Sequence, residues 1–185
     1  HKMNAAVVSA LTLALVTLVN SFTYDDKPRC IKAIIKYCNR KSMGKLAFLI
    51  ASLEYPELDS KDTCTMFMAP ESVLYSYVSQ DAQDPFYSSR DLTIKTIKNQ
   101  IVSGQPKLAG NTELTSINGN KFTVKDRHIY TEANRSPIRI NSEVTFNSTK
   151  SRLFLVDGLI GITHEEVLEA SGGPLPGIVI SPDDL

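Results

Sequence analysis

The stretch "RLFLVDGLIG", residues 152–161, carries the strongest fold signal in the chain. Residues 153–156 are an uninterrupted apolar run, which stops at Asp157-Gly158 and resumes at Leu159 and Ile160. A short apolar run bounded by turn residues is typical of a strand that is buried on both faces. A carboxylate and a glycine inside such a strand must either hold the fold together or contact a ligand, and this choice bears directly on function.

The remainder of the chain is predicted to form helices first and strands afterwards. Apolar residues recur at helical spacing over residues 30–53, "CTMFMAP" at 64–70 reads as a buried strand, and a helix is predicted over 71–78. A further helix, capped by Asp91, is predicted to carry Ile94, Ile97 and Ile101 in line. After Gly104 the apolar residues recur with a period of two, which predicts strands. A hairpin is predicted at Asn118-Gly119, and a capping box at Thr163 and Glu166 predicts a last short helix. This order predicts one α+β domain.

Charge excludes two classes of partner. The 185 residues contain 20 Lys and Arg and 20 Asp and Glu, so the formal charge is zero. Nucleic-acid binding proteins normally present a basic face, and attraction to anionic membranes needs excess positive charge. We therefore expect neither nucleic acid nor a membrane surface as the partner.

The amino end predicts export. A short basic start precedes an uncharged apolar segment of about 15 residues, as in a secretory signal peptide, which we place at residues 1–21 with a short linker at 22–29. The segment is shorter than the roughly 20 residues of a membrane-spanning helix. A buried amino-terminal core helix is the alternative that the sequence leaves open.

Three cysteines allow at most one intramolecular bridge. Cys30 and Cys38 lie on one predicted helix two turns apart and are not expected to bridge each other, whereas either could reach Cys64. Three reduced, buried thiols remain the alternative. No C-x-x-C pair occurs and the three histidines are scattered, so no metal site is predicted.

Two sequons fit an exported glycoprotein. Asn147-Ser148-Thr149 is an acceptor for N-glycosylation, and Asn134-Arg135-Ser136 is a second one that Pro137 makes poorer. Both sites are candidates on sequence alone.

The sequence contains none of the common catalytic motifs. The sequence lacks a nucleophile elbow, a phosphate-binding loop, a dinucleotide fingerprint and H-E-x-x-H. Its adjacent acid pairs, such as Asp25-Asp26, point in different directions and do not form a catalytic pair. The sequence therefore predicts no enzyme and no cofactor.

Three segments, in order, resemble a fasciclin-like domain, a family known from extracellular adhesion and matrix proteins and from plant fasciclin-like arabinogalactan proteins. The first is "TMFMAPESVLYSYV", with Ala69-Pro70 matching the motif and Met68 standing where Phe is usual. The second, "IKNQIVSGQPKL", matches a helix leading to a Val-x-Gly turn at Gly104. The third is "LFLVDGLIG", with Val156, Asp157 and Gly158. The resemblance covers residues 30–162 and leaves a short helix and an extended tail at 163–185.

The resemblance implies a fold in which amino-terminal helices pack on a wedge-shaped β-sandwich of short strands. It places the strand of the last motif against that of the first, so the apolar ribbons at 65–70 and 153–160 should lie side by side. On this account Asp157 accepts hydrogen bonds from nearby backbone donors, and Gly158 allows a bend or a close approach of chains. The carboxylate is then structural.

The chain also departs from the family pattern. Asn99 and Gln100 stand where the family often has Tyr-His, a pair linked with packing and receptor adhesion, so an integrin-type contact through that pair is not expected. Clusters of Ala, Ser or Thr with Pro that carry arabinogalactan chains are missing, and a polar carboxyl end does not suggest a lipid anchor.

Together these features predict a secreted, non-catalytic binding domain of the extracellular matrix, or of the apoplast and cell wall in a plant. Its expected partner is a protein or a polysaccharide. The alternative is an extracellular domain that binds a small molecule, lipid or hormone-like, between helices and sheet.

Overall fold

A computed structural model describes residues 26–58, 63–78 and 84–172. The predicted signal peptide at 1–21, residues 22–25 of the predicted linker and the tail after residue 172 lie outside the described residues. The disulfide, hairpin and motif predictions fall within them.

Six helices and seven strands follow one another in the described residues. The helices are α1 (Arg29–Arg40), α2 (Gly44–Ala51), α3 (Glu71–Ser76), α4 (Pro85–Ser88), α5 (Arg90–Lys98) and α6 (His164–Ala170). The strands are β1 (Cys64–Met68), β2 (Ile101–Ser103), β3 (Thr112–Thr115), β4 (Lys121–Lys125), β5 (His128–Tyr130), β6 (Ile138–Phe146) and β7 (Ser151–Val156).

The strands form one seven-stranded sheet in the order β2-β1-β7-β6-β5-β4-β3. Strands β1 and β7 pair in parallel, with Met66 opposite Leu153 and Phe67 opposite Phe154, while the other neighbours are antiparallel. The predicted pairing of the first and last apolar ribbons is therefore confirmed for residues 65–68 and 152–155, and so is the α+β class. The prediction that the last ribbon continues as a strand to residue 160 is wrong, because β7 ends at Val156 and Asp157-Gly158 follow it.

The sheet folds over on itself. Three strands separate β1 from β4, so the two would lie roughly 19 Å apart in a flat sheet. The rings of Phe67 on β1 and Phe122 on β4 nevertheless meet edge to face at a centroid distance of 5.5 Å. The Ile117 N–H donates to the Ile101 carbonyl oxygen at 2.8 Å, which joins the turn between β3 and β4 to β2, at the other end of the strand order. Two halves of one sheet thus enclose an apolar interior.

Helix α1 covers the opposite face of β1. Its buried residues recur every three or four positions, namely Cys30, Ile31, Ile34, Ile35 and Cys38, because that spacing gives a helix one apolar face. The Tyr37 ring meets Phe146 of β6 at 6.1 Å, and Cys38 Sγ lies 3.6 Å from Met68 Sδ of β1. Burial of each large aliphatic side chain here stabilises the fold by about 1.5–3 kcal/mol.

Two details of the helix that was predicted to begin at Asp91, now α5, are wrong. Ser89, not Asp91, is its N-cap, since Ser89 Oγ accepts from the Leu92 N–H at 3.3 Å and Asp91 lies in the first turn. Ile101 belongs to β2, where it pairs with Met66. Its helical spacing from Ile97 was misleading because strand pairing with β1 outweighs local periodicity.

The predicted turn and cap are confirmed. Gly119 has φ +81° and its N–H donates to the Ser116 carbonyl, which closes the turn between β3 and β4. Thr163 Oγ1 accepts from the Glu166 N–H at 3.1 Å, and Glu166 Oε2 accepts from the Thr163 N–H at 2.9 Å. This capping box opens α6.

Candidate functional site

The structure distinguishes the three cysteines. Cys30 and Cys64 form a disulfide, with Cα atoms 5.7 Å apart, which ties the start of α1 to the start of β1. Cys38 is a buried free thiol. Burial, followed by the charge of Glu71, raises the pKa of Cys38 to about 12, so the thiol stays protonated and is a poor nucleophile at neutral pH.

The three motif segments meet at a buried polar cluster. Its centre is Gln100, whose Oε1 accepts from the Ala69 N–H at 2.7 Å and whose Nε2 donates to the Thr96 carbonyl at 2.6 Å. The Gln100 carbonyl accepts from the Phe67 N–H at 2.8 Å. Gln100 therefore fixes the end of β1 through both its side chain and its backbone.

Asn99 extends this cluster to the last motif. Asn99 Nδ2 donates to the Ile160 carbonyl at 3.1 Å, and Asn99 Oδ1 accepts from Asn118 Nδ2 at 2.9 Å. Asn99 and Gln100 are both buried, so neither can contact an external partner. We call Asn99, Gln100 and the exposed Asn118 the amide cluster, in which the contacts of the two buried amides are structural.

Asp157 and Gly158 have the structural contacts expected of them. The Arg139 N–H donates to Asp157 Oδ1 at 2.7 Å, and Arg139 Nε lies 3.5 Å from Asp157 Oδ2. A Cβ added at Gly158 would lie 2.9 Å from Ile138 Cγ1, so the glycine permits a close approach of chains. These contacts hold the end of β7 against β6, where the buried Val156 pairs with Ile140.

Gly104 closes the second motif. It has φ +76°, and its N–H donates to the Thr63 carbonyl at 2.7 Å. A left-handed backbone at this position favours glycine. The Val-x-Gly turn therefore ends β2 beside the start of β1.

The two sequons differ in environment. Asn134 Nδ2 donates to the Leu159 and Ile162 carbonyls at 3.1 and 3.3 Å, and Asn134 Oδ1 accepts from the Gly161 N–H at 3.0 Å. A glycan on that nitrogen would break these bonds. Asn147 is exposed in the turn after β6, so the geometry favours Asn147 as the acceptor.

Three exposed aromatic residues form a surface that the sequence pattern did not predict. Phe48, Tyr75 and Tyr87 are 59%, 53% and 53% exposed. They come from α2, α3 and α4, and the Phe48 and Tyr87 rings lie 5.7 Å apart. We call these three residues the aromatic patch. Soluble proteins often expose single apolar side chains, whereas this cluster joins exposed rings from three elements.

A buried lysine supports the patch from below. The Lys45 side chain is 5% exposed, and its Nζ lies 4.7 Å from the Tyr75 ring centroid and 5.1 Å from that of Tyr87. Lys45 also forms an ion pair with Asp84, whose Oδ1 accepts from the Phe86 N–H at 3.0 Å. These contacts with the ammonium group fix the orientation of two of the exposed rings.

Acidic groups border the patch as well. Glu71 Oε1 accepts from the Leu46 N–H at 2.9 Å and ties α3 to α2. Desolvation, followed by the charge of Asp84 and the neighbouring Tyr75 and Glu71, raises the pKa of Tyr87. The Tyr87 hydroxyl is therefore a protonated hydrogen-bond donor at neutral pH.

The described residues hold no group of three or more His, Cys, Asp or Glu that could bind a metal ion. In the same part of the chain no helix has both the length and the apolar character to cross a membrane. Neither a protein-family model nor a curated protein sequence matches this chain.

Proposed function

We propose that this protein is a secreted, non-catalytic fasciclin-like domain that binds a polysaccharide of the extracellular matrix or cell wall through the aromatic patch. The observation that carries the proposal is the cluster of three exposed rings held over the buried Lys45, which forms an ion pair with the part-exposed Asp84. The fasciclin-like assignment is supported by the three motif segments, which meet at the amide cluster.

The chemistry of the patch suits a sugar chain. Aromatic faces pack against the C–H faces of sugar rings, and phenol and carboxylate groups at the border exchange hydrogen bonds with hydroxyl groups. Tyr75, Tyr87 and Asp84 supply these groups. Because Lys45 already orders two of the rings, binding would cost little side-chain entropy.

Secretion is supported by two other features. The Cys30–Cys64 disulfide is typical of an oxidising compartment, and the sequon at Asn147 is exposed. Expression of the full chain in a eukaryotic secretory host should deliver protein to the medium with a glycan that Asn147→Gln removes. Retention in the cytosol with no glycan would contradict export.

Binding is tested with the double variant Tyr75→Ala/Tyr87→Ala. The purified chain is titrated against immobilised matrix and cell-wall polysaccharides, and the variant should bind at least about tenfold more weakly, as expected for loss of aromatic anchors. Tyr130→Ala is the matched control, because Tyr130 is also an exposed tyrosine but lies on β5, away from the patch.

Two results would count against the proposal. Equal binding by wild type and the double variant would exclude the patch as the binding surface. Capture of an extracellular protein through the patch, with no polysaccharide bound, would replace the partner that we propose.

A further inference from the structure

We propose that the open side of the folded sheet contains a second site, which binds a small organic carboxylate at Arg152. A pocket of about 320 Å³ lies there, between the two halves of the sheet. Val124, Ile140 and Phe154 give it apolar walls, and Leu108 from the loop after β2 covers one side. This volume is at the lower end of the range for small-molecule sites.

Arg152 supplies the reason to expect a ligand. Its Nη2 donates to the Pro106 carbonyl, and its Nη1 lies 3.5 Å from Glu143 Oε1. Its Nε, however, is buried and has no hydrogen-bond partner. Buried donors in folded proteins nearly always have a partner, so this N–H is available to an acceptor supplied by water or by a ligand.

The guanidinium group is also held in place. Arg152 Cζ lies 5.2 Å from the centroid of the Phe154 ring, and the side chain is 17% exposed. Arg152 and Phe154 lie on the same face of β7 because they are two residues apart. The charged group and the apolar wall of the pocket are therefore parts of one preformed surface.

A second arginine lies at the rim. Arg127 follows Asp126 in the tight turn between β4 and β5, and both have positive φ, +61° and +48°. Such a turn favours glycine or asparagine, so an arginine there is conformationally unfavourable. Its Nε and Nη2 both donate to the Ile140 carbonyl, at 3.3 and 3.2 Å, and it forms no ion pair within the described residues.

These groups define the class of ligand. The arginines favour an anionic acceptor, and a carboxylate has the planar geometry that a guanidinium group binds. The walls favour an apolar body of modest size. Two carboxylates of the protein, Asp126 and Glu143, also line the pocket and oppose an anion. A bound carboxylate would therefore compete with Glu143 for Arg152.

This competition gives a specific test. The full chain with its disulfide intact is titrated with benzoate, while NMR follows the arginine Nε–H signals and the backbone amides of Val124 and Ile140. Benzoate should shift these signals saturably. Benzamide, its uncharged counterpart, should not.

Two variants sharpen the test. Glu143→Gln should lower the benzoate Kd roughly threefold, because it removes the competing carboxylate. Arg152→Lys should raise the Kd roughly tenfold, because lysine cannot present two parallel donors. Glu113→Gln, an exposed change on β3 outside this pocket, is the control and should leave the Kd unchanged.

Lack of saturation with benzoate, equal binding of benzamide, or an unchanged Kd in Glu143→Gln would each overturn the assignment. Should Arg152→Lys fail to fold, the Glu143→Gln comparison decides alone, since Glu143 is exposed. The site shares no residue with the aromatic patch, so its failure would leave the proposed function unaffected.

Discussion

The amide cluster and the aromatic patch arrange polar and apolar groups in opposite ways. In the amide cluster, the buried Asn99 and Gln100 bind the backbone of Ile160 and of Ala69, which are far away in sequence, and Asn99 also binds the Asn118 side chain. At the patch, the charged Lys45 is buried and the apolar rings of Phe48, Tyr75 and Tyr87 face solvent. The first arrangement is expected of a core, and the second reverses the usual distribution.

The difference separates stability from contact. A buried amide that joins several segments of the chain stabilises the fold, because its removal leaves backbone donors without acceptors. Exposed rings gain little from folding, since much of their surface stays in water. Under the proposed function, the ion pair of Lys45 and Asp84 positions the exposed rings for a partner, and the two regions should respond differently to mutation.

The largest effect is expected at the amide cluster. Gln100→Ala removes the acceptor of the Ala69 N–H and leaves a void in the core. We expect the free energy of unfolding to fall by roughly 3 kcal/mol, from a buried unpaired donor together with lost packing. Urea denaturation followed by circular dichroism measures this change.

Gln105→Ala is the matched control, because Gln105 is exposed in the loop after β2. It should change the unfolding free energy by less than about 0.5 kcal/mol. Similar losses in the two variants would mean that the amide cluster does not hold the three motif segments together.

The sequence predicted the strands that meet in this region but not the cluster itself. Strands β1 and β7 are apolar runs with clear boundaries, and a family resemblance placed them together. The role of Gln100 depends on Ala69, which is 31 residues away, and that of Asn99 on Ile160, which is 61 residues away. No local pattern encodes such contacts, so these two residues were recognised only as departures from a motif.

The sequence did not predict the aromatic patch, and the reason is different. Helix α2, "GKLAFLIA", is apolar on nearly every side, so its periodicity does not show that Phe48 faces solvent. Tyr75 and Tyr87 lie on helices of six and four residues, which are too short for a reliable amphipathic pattern. Only the packing of the three helices reveals that these rings are neighbours.

The ion pair beneath the patch should give an intermediate effect. Asp84→Ala removes the partner of a buried ammonium group and the cap of α4, and should cost roughly 2 kcal/mol. Lys45→Met should cost only about 1 kcal/mol, because the part-exposed Asp84 carboxylate can be hydrated. Thermal and urea unfolding of both variants measure the asymmetry.

The double variant Asp84→Ala/Lys45→Met provides the internal check. It should be more stable than Asp84→Ala alone, because no unpaired charge remains buried. A double variant less stable than either single variant would contradict this coupling, because methionine keeps an apolar stem and the loss would then come from the contacts of the Lys45 ammonium with the aromatic rings and not from its pairing with Asp84.

The smallest effect on stability is expected in the aromatic patch, at Phe48. Phe48→Ser should change the unfolding free energy by no more than about 0.5 kcal/mol, because the ring is largely in water. Its neighbour Leu49 is buried in the same helix, and Leu49→Ala should cost about 3 kcal/mol. Urea denaturation of the two variants compares them directly. If Phe48→Ser destabilised the protein as much as Leu49→Ala, the ring would belong to the core, and the patch would lack the free surface that a partner requires.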